Sequence, residues 1–126
     1  MARPIRIDVE NGWYHVTARG IERRTIFTED GDNEHFLSLM EEMSDRYEVG
    51  IHGYVLMGNH YHLIIQTPRA NASRAMQWLN VSYSAWFNAR RGRAGHVFQG
   101  RFKSNLIEGD GSWLLQASVY LHLNPS

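Results

Sequence analysis

Apolar positions along the chain fall into seven blocks, each with either a period of two or a helical period. Trp13–Arg19 (WYHVTAR) is rich in β-branched and aromatic residues and predicts a strand ending at Gly20. Asp30-Gly31-Asp32 offers turn and N-cap chemistry, and behind it Phe36, Leu37, Met40, Met43, Ser44 and Tyr47 recur at helical spacing. Glu34, Glu41, Glu42, Asp45 and Glu48 fall mostly off that stripe, so the spacing predicts an amphipathic helix with an acidic outer face, ending near Gly50. Ile51–Met57 and His60–Gln66 predict two strands about the two-residue turn Gly58-Asn59, a pair suited to the positive φ of tight hairpins. Ser73 to Arg91 predicts a second helix with a core stripe of Met76, Leu79, Tyr83, Trp86 and Phe87, ended by Gly92 and Gly95. Arg101–Glu108 reads as a fourth strand. Gly109-Asp110-Gly111-Ser112 is a turn with a capping serine, and Trp113–Leu123 is a last helix stopped by Pro125.

The predicted order is β-α-β-β-α-β-α. Its first six elements match the split βαβ, or ferredoxin-like, arrangement: an α+β fold with an antiparallel sheet and two helices on one face. The seventh element is an addition. With 126 residues and no repeat, linker or low-complexity tract, the whole chain, 1–126, is expected to form one domain. The fold hosts many functions, so function must come from side chains.

The chain has no cysteine, which excludes disulfide scaffolds, thiolate metal sites and cysteine nucleophiles. The basic N-terminus lacks the apolar stretch of a secretory signal. The longest aliphatic or aromatic run, Tyr54 to Met57, is far short of the ~20 apolar residues of a membrane span. A soluble, cytoplasmic protein without membrane contact is expected. A net charge of zero hides an asymmetry: residues 1–48 carry six arginines against eleven acids, and residues 49–126 carry six arginines and Lys103 against two. No acid occurs from Val49 to Ile107. Arginine's planar fork suits phosphate contact and base stacking, so the basic half reads either as a face for a polyanion or as a solvated surface.

The sharpest motif is His60-Tyr61-His62. Side chains alternate along a strand, so the two histidines share one face while Tyr61, Leu63 and Ile65 point to the other. Two imidazoles at that spacing can converge on one cation, for which they are good ligands if it is Mn, Fe, Ni, Cu or Zn and poorer ones if it is Mg. Two ligands do not complete a site, so further ligands or open positions for substrate are implied. His35, His52 and His96 read as structural or surface residues, and His15 as a lesser candidate for the sheet's polar face. On the last predicted helix, Tyr120 and Asn124 lie only about 40° apart, whereas His122 lies about 160° from both. That face presents a phenol and a carboxamide one turn apart; the plainer alternative is a packing aromatic and a C-cap before proline.

His-hydrophobic-His (HYH), a later YLHLNP, YHVTARGIERRTIF near the start and VFQGRFKSNLI before the last helix together carry a family likeness. From about Trp13 to Pro125 the chain resembles the single-tyrosine HUH transposases, most closely the REP-associated tyrosine transposases of bacteria. The resemblance implies an enzyme that cuts single-stranded DNA beside imperfect hairpins and rejoins it through a 5′-phosphotyrosine, leaving a free 3′-OH and needing no ATP. It implies His60 and His62 as ligands of a divalent ion (Mg or Mn), Tyr120 as nucleophile, and Asn124 at a position where the wider family supplies another polar ligand. The expected partner is single-stranded or hairpin DNA, with the protein a monomer or a homodimer. Candidates for DNA contact are Arg19, Arg23 and Arg24 after the first strand, Arg74, Arg90, Arg91 and Arg93 on or after the second helix, and Arg101 and Lys103 on the fourth strand, with Trp78 a candidate for stacking or for the core edge. Two alternatives stay open: a non-catalytic hairpin nucleic-acid binder, domesticated or truncated, and an HUH replication initiator or relaxase.

Overall fold

A computed structural model describes Asp8 and residues 10–107. Its elements are β1 (Gly12–Arg19), α1 (Asp30–Tyr47), β2 (Gly50–Leu56), β3 (His60–Thr67), α2 (Ala72–Arg91) and β4 (Lys103–Ile107). The predicted last helix, with Tyr120 and Asn124, lies outside the described residues. The four strands form one sheet in the order β2-β3-β1-β4, every neighbour antiparallel. That order and the two helices establish the expected α+β, split βαβ fold.

Strand alternation decides what each face carries. Tyr14, Val16 and Ala18 of β1 and Tyr61, Leu63 and Ile65 of β3 are buried on one face. They join Phe36, Met40 and Met43 of α1 and Ala75, Met76, Leu79, Tyr83 and Phe87 of α2 in one core, so both helices cover that face. Tyr83 anchors the core by donating its hydroxyl to the Ile26 carbonyl. The opposite face carries Trp13, His15, Thr17 and Arg19 of β1 beside His60, His62, Ile64 and Gln66 of β3. A smaller apolar cluster joins Val55 and Ile64 with Trp13, Met57 and Ile107.

Local details differ from the sequence expectation for identifiable reasons. The cap of α1 is Glu29, locked in a reciprocal capping box with Asp32, so Asp30 already lies inside the helix. The helix ends through a left-handed Glu48 (φ 56°) rather than at a glycine. β4 starts at Lys103, which leaves Arg101 on the loop before it. Gly58 and Asn59 do not have positive φ, and β2 and β3 are joined by three residues, 57–59. Here outside partners override local turn preference: the Gly58 carbonyl accepts from the Ile26 and Phe27 amides (2.8 and 3.1 Å), and the Asn59 carbonyl from the Gly20 amide (2.9 Å). Gly20 itself is required by close approach, since a Cβ there would sit 2.1 Å from the Arg24 carbonyl oxygen. Among the described residues no helix is long and apolar enough to cross a membrane.

Candidate active site

The end of the sheet where β1 leaves and β3 enters is laced together. Besides the bonds at Gly20 and Gly58, the Ile21 amide donates to the Val97 carbonyl and the Gln99 amide to the Arg19 carbonyl (2.9 and 2.8 Å). These bonds bring residues 97–101 beside the start of β3. The result is a cavity of about 310 Å³ lined by His60 and His62, by Arg19, Arg101 and Lys103, and by Thr17, Ala18 and Gln99. The register explains the grouping: Arg19 lies opposite His60, Thr17 opposite His62, and Lys103 opposite Thr17. Three cationic side chains therefore surround two imidazoles, with no carboxylate among the described residues that line the cavity.

The imidazole rings of His60 and His62 lie 5.0 Å apart, centroid to centroid, at 83° to one another. Both are half-buried. Burial, and then the charge of Arg19, holds the His60 pKa below the ordinary imidazole value. Burial, then His15 and His60, brings that of His62 down to about 4. Neutral rings keep the lone pair that a metal needs. Each ring is braced at Nδ1: His60 Nδ1 lies 2.8 Å from Asn59 Oδ1, and His62 Nδ1 lies 3.1 Å from His15 Nε2. His15 reaches His62 diagonally, because its direct cross-strand partner is Ile64. Among the described residues no group of three or more His, Cys, Asp or Glu side chains is arranged to hold a metal ion. The donors present nonetheless fit a divalent cation in chemistry: two neutral imidazoles lining a cleft with room for substrate oxygens.

Tyr61, between the two histidines, is fully buried on the helix side and donates to Asn80 Oδ1 at 2.5 Å. Burial pushes its phenol pKa far up, and that of Tyr83 is raised likewise, by burial first and then by Asp32. Neither is placed to attack a phosphodiester. The other expected contacts divide into three groups. Arg19, Arg101 and Lys103 line the cavity. Arg23, Arg24, Arg74 and Arg93 are exposed elsewhere, Arg24 with a long pairing to Glu22 at 3.8 Å. Arg90 and Arg91 are engaged with the start of α1: Arg90 pairs with Glu29 at 3.4 Å, and Arg91 with Asp32 at 2.6 Å. Trp78 packs at the core edge, 6.2 Å from Tyr47 and under Arg46. His35 stacks on Trp86, and His52 sits against Trp13. From the sequence His15 is a lesser candidate and Asn59 a turn residue; the His15 contact depends on register, which one strand's pattern cannot reveal, and the Asn59 contact on a turn held by distant amides.

A second cavity, about 630 Å³, opens between α2 and residues 95–102, with Gln77, Asn80, Ser84 and Val81 on one wall and Phe98, Arg101 and Phe102 on the other. Arg101 lines both cavities.

The described residues thus form a split βαβ sheet with paired imidazoles in an arginine- and lysine-lined cleft. The model of the IS200-like transposase family matches residues 8–121, and the chain belongs to that family. Membership places it among proteins of transposition, whose work is the cutting and transfer of DNA strands. Its fold is similar to that of a REP-associated tyrosine transposase solved bound to a REP hairpin, with a TM-score of 0.77 and 17% identity over 99% of this chain and 73% of that one. It is also similar to a crystal structure from Deinococcus radiodurans R1 described as a candidate transposase, with a TM-score of 0.63 and 9% identity over 99% of this chain and 100% of that one. No curated protein sequence matches the chain.

Proposed function

We propose that the protein is a divalent-metal-dependent enzyme that cleaves single-stranded DNA beside hairpin elements and transfers the strand through a covalent 5′-phosphotyrosine. The observation that carries this reading is the convergence of His60 and His62 with Arg19, Arg101 and Lys103 on one cavity. A phosphodiester repels anionic nucleophiles, and three cations around the cleft lower that barrier by attracting and orienting its non-bridging oxygens. His60 and His62, with Asn124 as a further ligand, would hold the ion, which when bound supplies Lewis-acid polarisation of the scissile phosphate.

Tyr120 is the proposed nucleophile. Its Oη forms a bond to phosphorus as the P–O3′ bond breaks; the phenolic proton is lost and the departing oxygen ends as a 3′-OH. One diester replaces another, so a different 3′-OH can attack the phosphotyrosine and rejoin the strand without ATP. The structural relative bound to a REP hairpin supports a hairpin as the DNA partner. Binding would draw on Arg19, Arg101 and Lys103 at the cleft and on Arg23, Arg24 and Arg74 outside it, with Arg90 and Arg91 sharing their charge with α1.

The deciding experiment incubates the full chain with Mn²⁺ or Mg²⁺ and end-labelled single-stranded hairpin DNA with flanks, then resolves products on a denaturing gel. A covalent adduct that disappears in Tyr120→Phe and in EDTA is expected. Hairpin binding with no adduct under either metal would replace this reading with that of a non-catalytic binder.

A further inference from the structure

A histidine ligates a metal only through the ring nitrogen that carries no proton, and a neutral imidazole has one such nitrogen. Which nitrogen it is depends on the bond made by the other, and at both candidate ligands that bond is present. Asn59 Oδ1 lies 2.8 Å from His60 Nδ1. A carboxamide oxygen can only accept, so the proton sits on Nδ1 and the lone pair on Nε2. The far end of the same amide fixes its orientation: Asn59 Nδ2 donates to the Arg23 carbonyl at 3.4 Å. Turning the amide over would set oxygen against oxygen there. Arg23 is held for this contact by an unusual backbone, since Glu22 and Arg23 have consecutive positive φ values of 54° and 58°.

The second ring meets a different partner. His15 Nε2 is 3.1 Å from His62 Nδ1, with the planes within 11° and the centroids 5.2 Å apart. That separation is close to the contact plus two ring radii, so the rings meet edge to edge, nearly coplanar, rather than face to face. Such a contact aims an N–H along the neighbouring lone pair. Two proton placements satisfy it. Only the one in which His62 Nδ1–H donates to His15 Nε2 leaves His62 Nε2 available.

We propose that Asn59 and His15 are positioning residues that hold His60 and His62 in the Nδ1–H tautomer, so that both Nε2 atoms are free to take one divalent cation. This rests on the reading of the histidine pair as metal ligands. Partners of this kind orient a ligand ring and raise its basicity, and losing one typically costs about 10–100-fold in metal affinity. Neither partner touches the cation itself.

The test reads tautomers directly, by long-range ¹H–¹⁵N correlation on the full chain with ¹⁵N-labelled histidine, at neutral pH and without metal. Both His60 and His62 should show a protonated Nδ1 and a bare Nε2. Asn59→Ala should move His60 alone toward the Nε2–H form that free imidazole side chains favour in water, and His15→Phe should move His62 alone. Mn²⁺ titration should weaken about 10–100-fold in each variant. Asn59→Asp and His15→Gln, which keep an acceptor, should restore affinity to within a few-fold of the native protein. A native protein with Nε2–H on either ring overturns the proposal even if every variant fails to fold. So do tautomers unchanged in both Asn59→Ala and His15→Phe. Native Nδ1–H rings that shift in the variants, in a protein that binds no Mn²⁺, uphold the positioning roles and defeat the metal reading instead.

Discussion

Replacing Asp32 by Asn tests the physical account of the helix layer. Asp32 is fully buried, and a single carboxylate oxygen accepts four bonds: from the Thr28 amide and hydroxyl (2.9 Å each), the Glu29 amide (3.1 Å) and Arg91 Nη2 (2.6 Å). The Arg91 side chain is 19% exposed, so this pair is largely shielded from water. The carboxamide keeps the size and one acceptor oxygen but removes the charge facing a guanidinium. Breaking a buried pair costs about 3–5 kcal/mol. Residual solvation of Arg91 and the retained acceptor place Asp32→Asn near the low end, at about 3 kcal/mol. For a chain of this size that lowers Tm by roughly 10 °C. The acid response follows from the same contacts. Burial pushes the carboxyl pKa up, but the Thr28 amide, Arg91, the Thr28 hydroxyl and the Glu29 amide outweigh it and hold the pKa below its ordinary value. The stabilisation is therefore complete above the unfolded carboxyl's pKa, about 4, and is lost as pH falls through the lower folded value. Urea unfolding of both proteins at pH 7 and in acid should show a gap of about 3 kcal/mol that narrows on acidification. A gap under about 0.5 kcal/mol at pH 7, within the range of ordinary surface substitutions, or one that stays constant into acid, would refute the reasoning.

His60→Ala or His62→Ala should weaken Mn²⁺ binding on the order of 100-fold or more in calorimetry, beyond the loss expected for their bracing partners. His62 also sets an acid limit. Its folded pKa of about 4 lies below the ordinary 6.5, so the unfolded chain takes up the proton first, and stability falls as pH drops from about 7 to 4. Partial exposure reduces this contribution to about 1–2 kcal/mol, which His62→Gln should remove from the pH profile of unfolding. Arg101→Ala or Lys103→Ala should reduce the slope of log affinity against log salt for single-stranded DNA by about 0.7 each. An unchanged slope would mean that the side chain meets no phosphate. Tyr61→Phe should cost about 1 kcal/mol through the lost bond to Asn80, while Mn²⁺ affinity stays native because the hydroxyl points away from the cleft.

The fold was readable because its signal is one of period. β1 and β3 alternate between buried and half-buried positions along most of their length, and α1 and α2 bury most of the stripes that helical spacing marks. The histidine pair was readable for the same reason: positions two apart on a strand share a face whatever the sheet order. What could not be read depends on which strands and loops meet. Gly58-Asn59 looked like a self-sufficient tight turn, yet its conformation is imposed by amides from 20–27. Arg90 and Arg91 looked like free cations because Glu29 and Asp32 are some sixty positions away in the chain. His15 gained meaning only once β1 was registered against β3.

Tyr61 sits between the two histidines with its ring in the core, and this ties folding to aim. A slip of β3 by one residue would drag both imidazoles beneath the helices and eject the phenol into water, a double penalty the chain would not survive. Folding thus proofreads the histidine face: any copy that completes its interior has already pointed His60 and His62 outward.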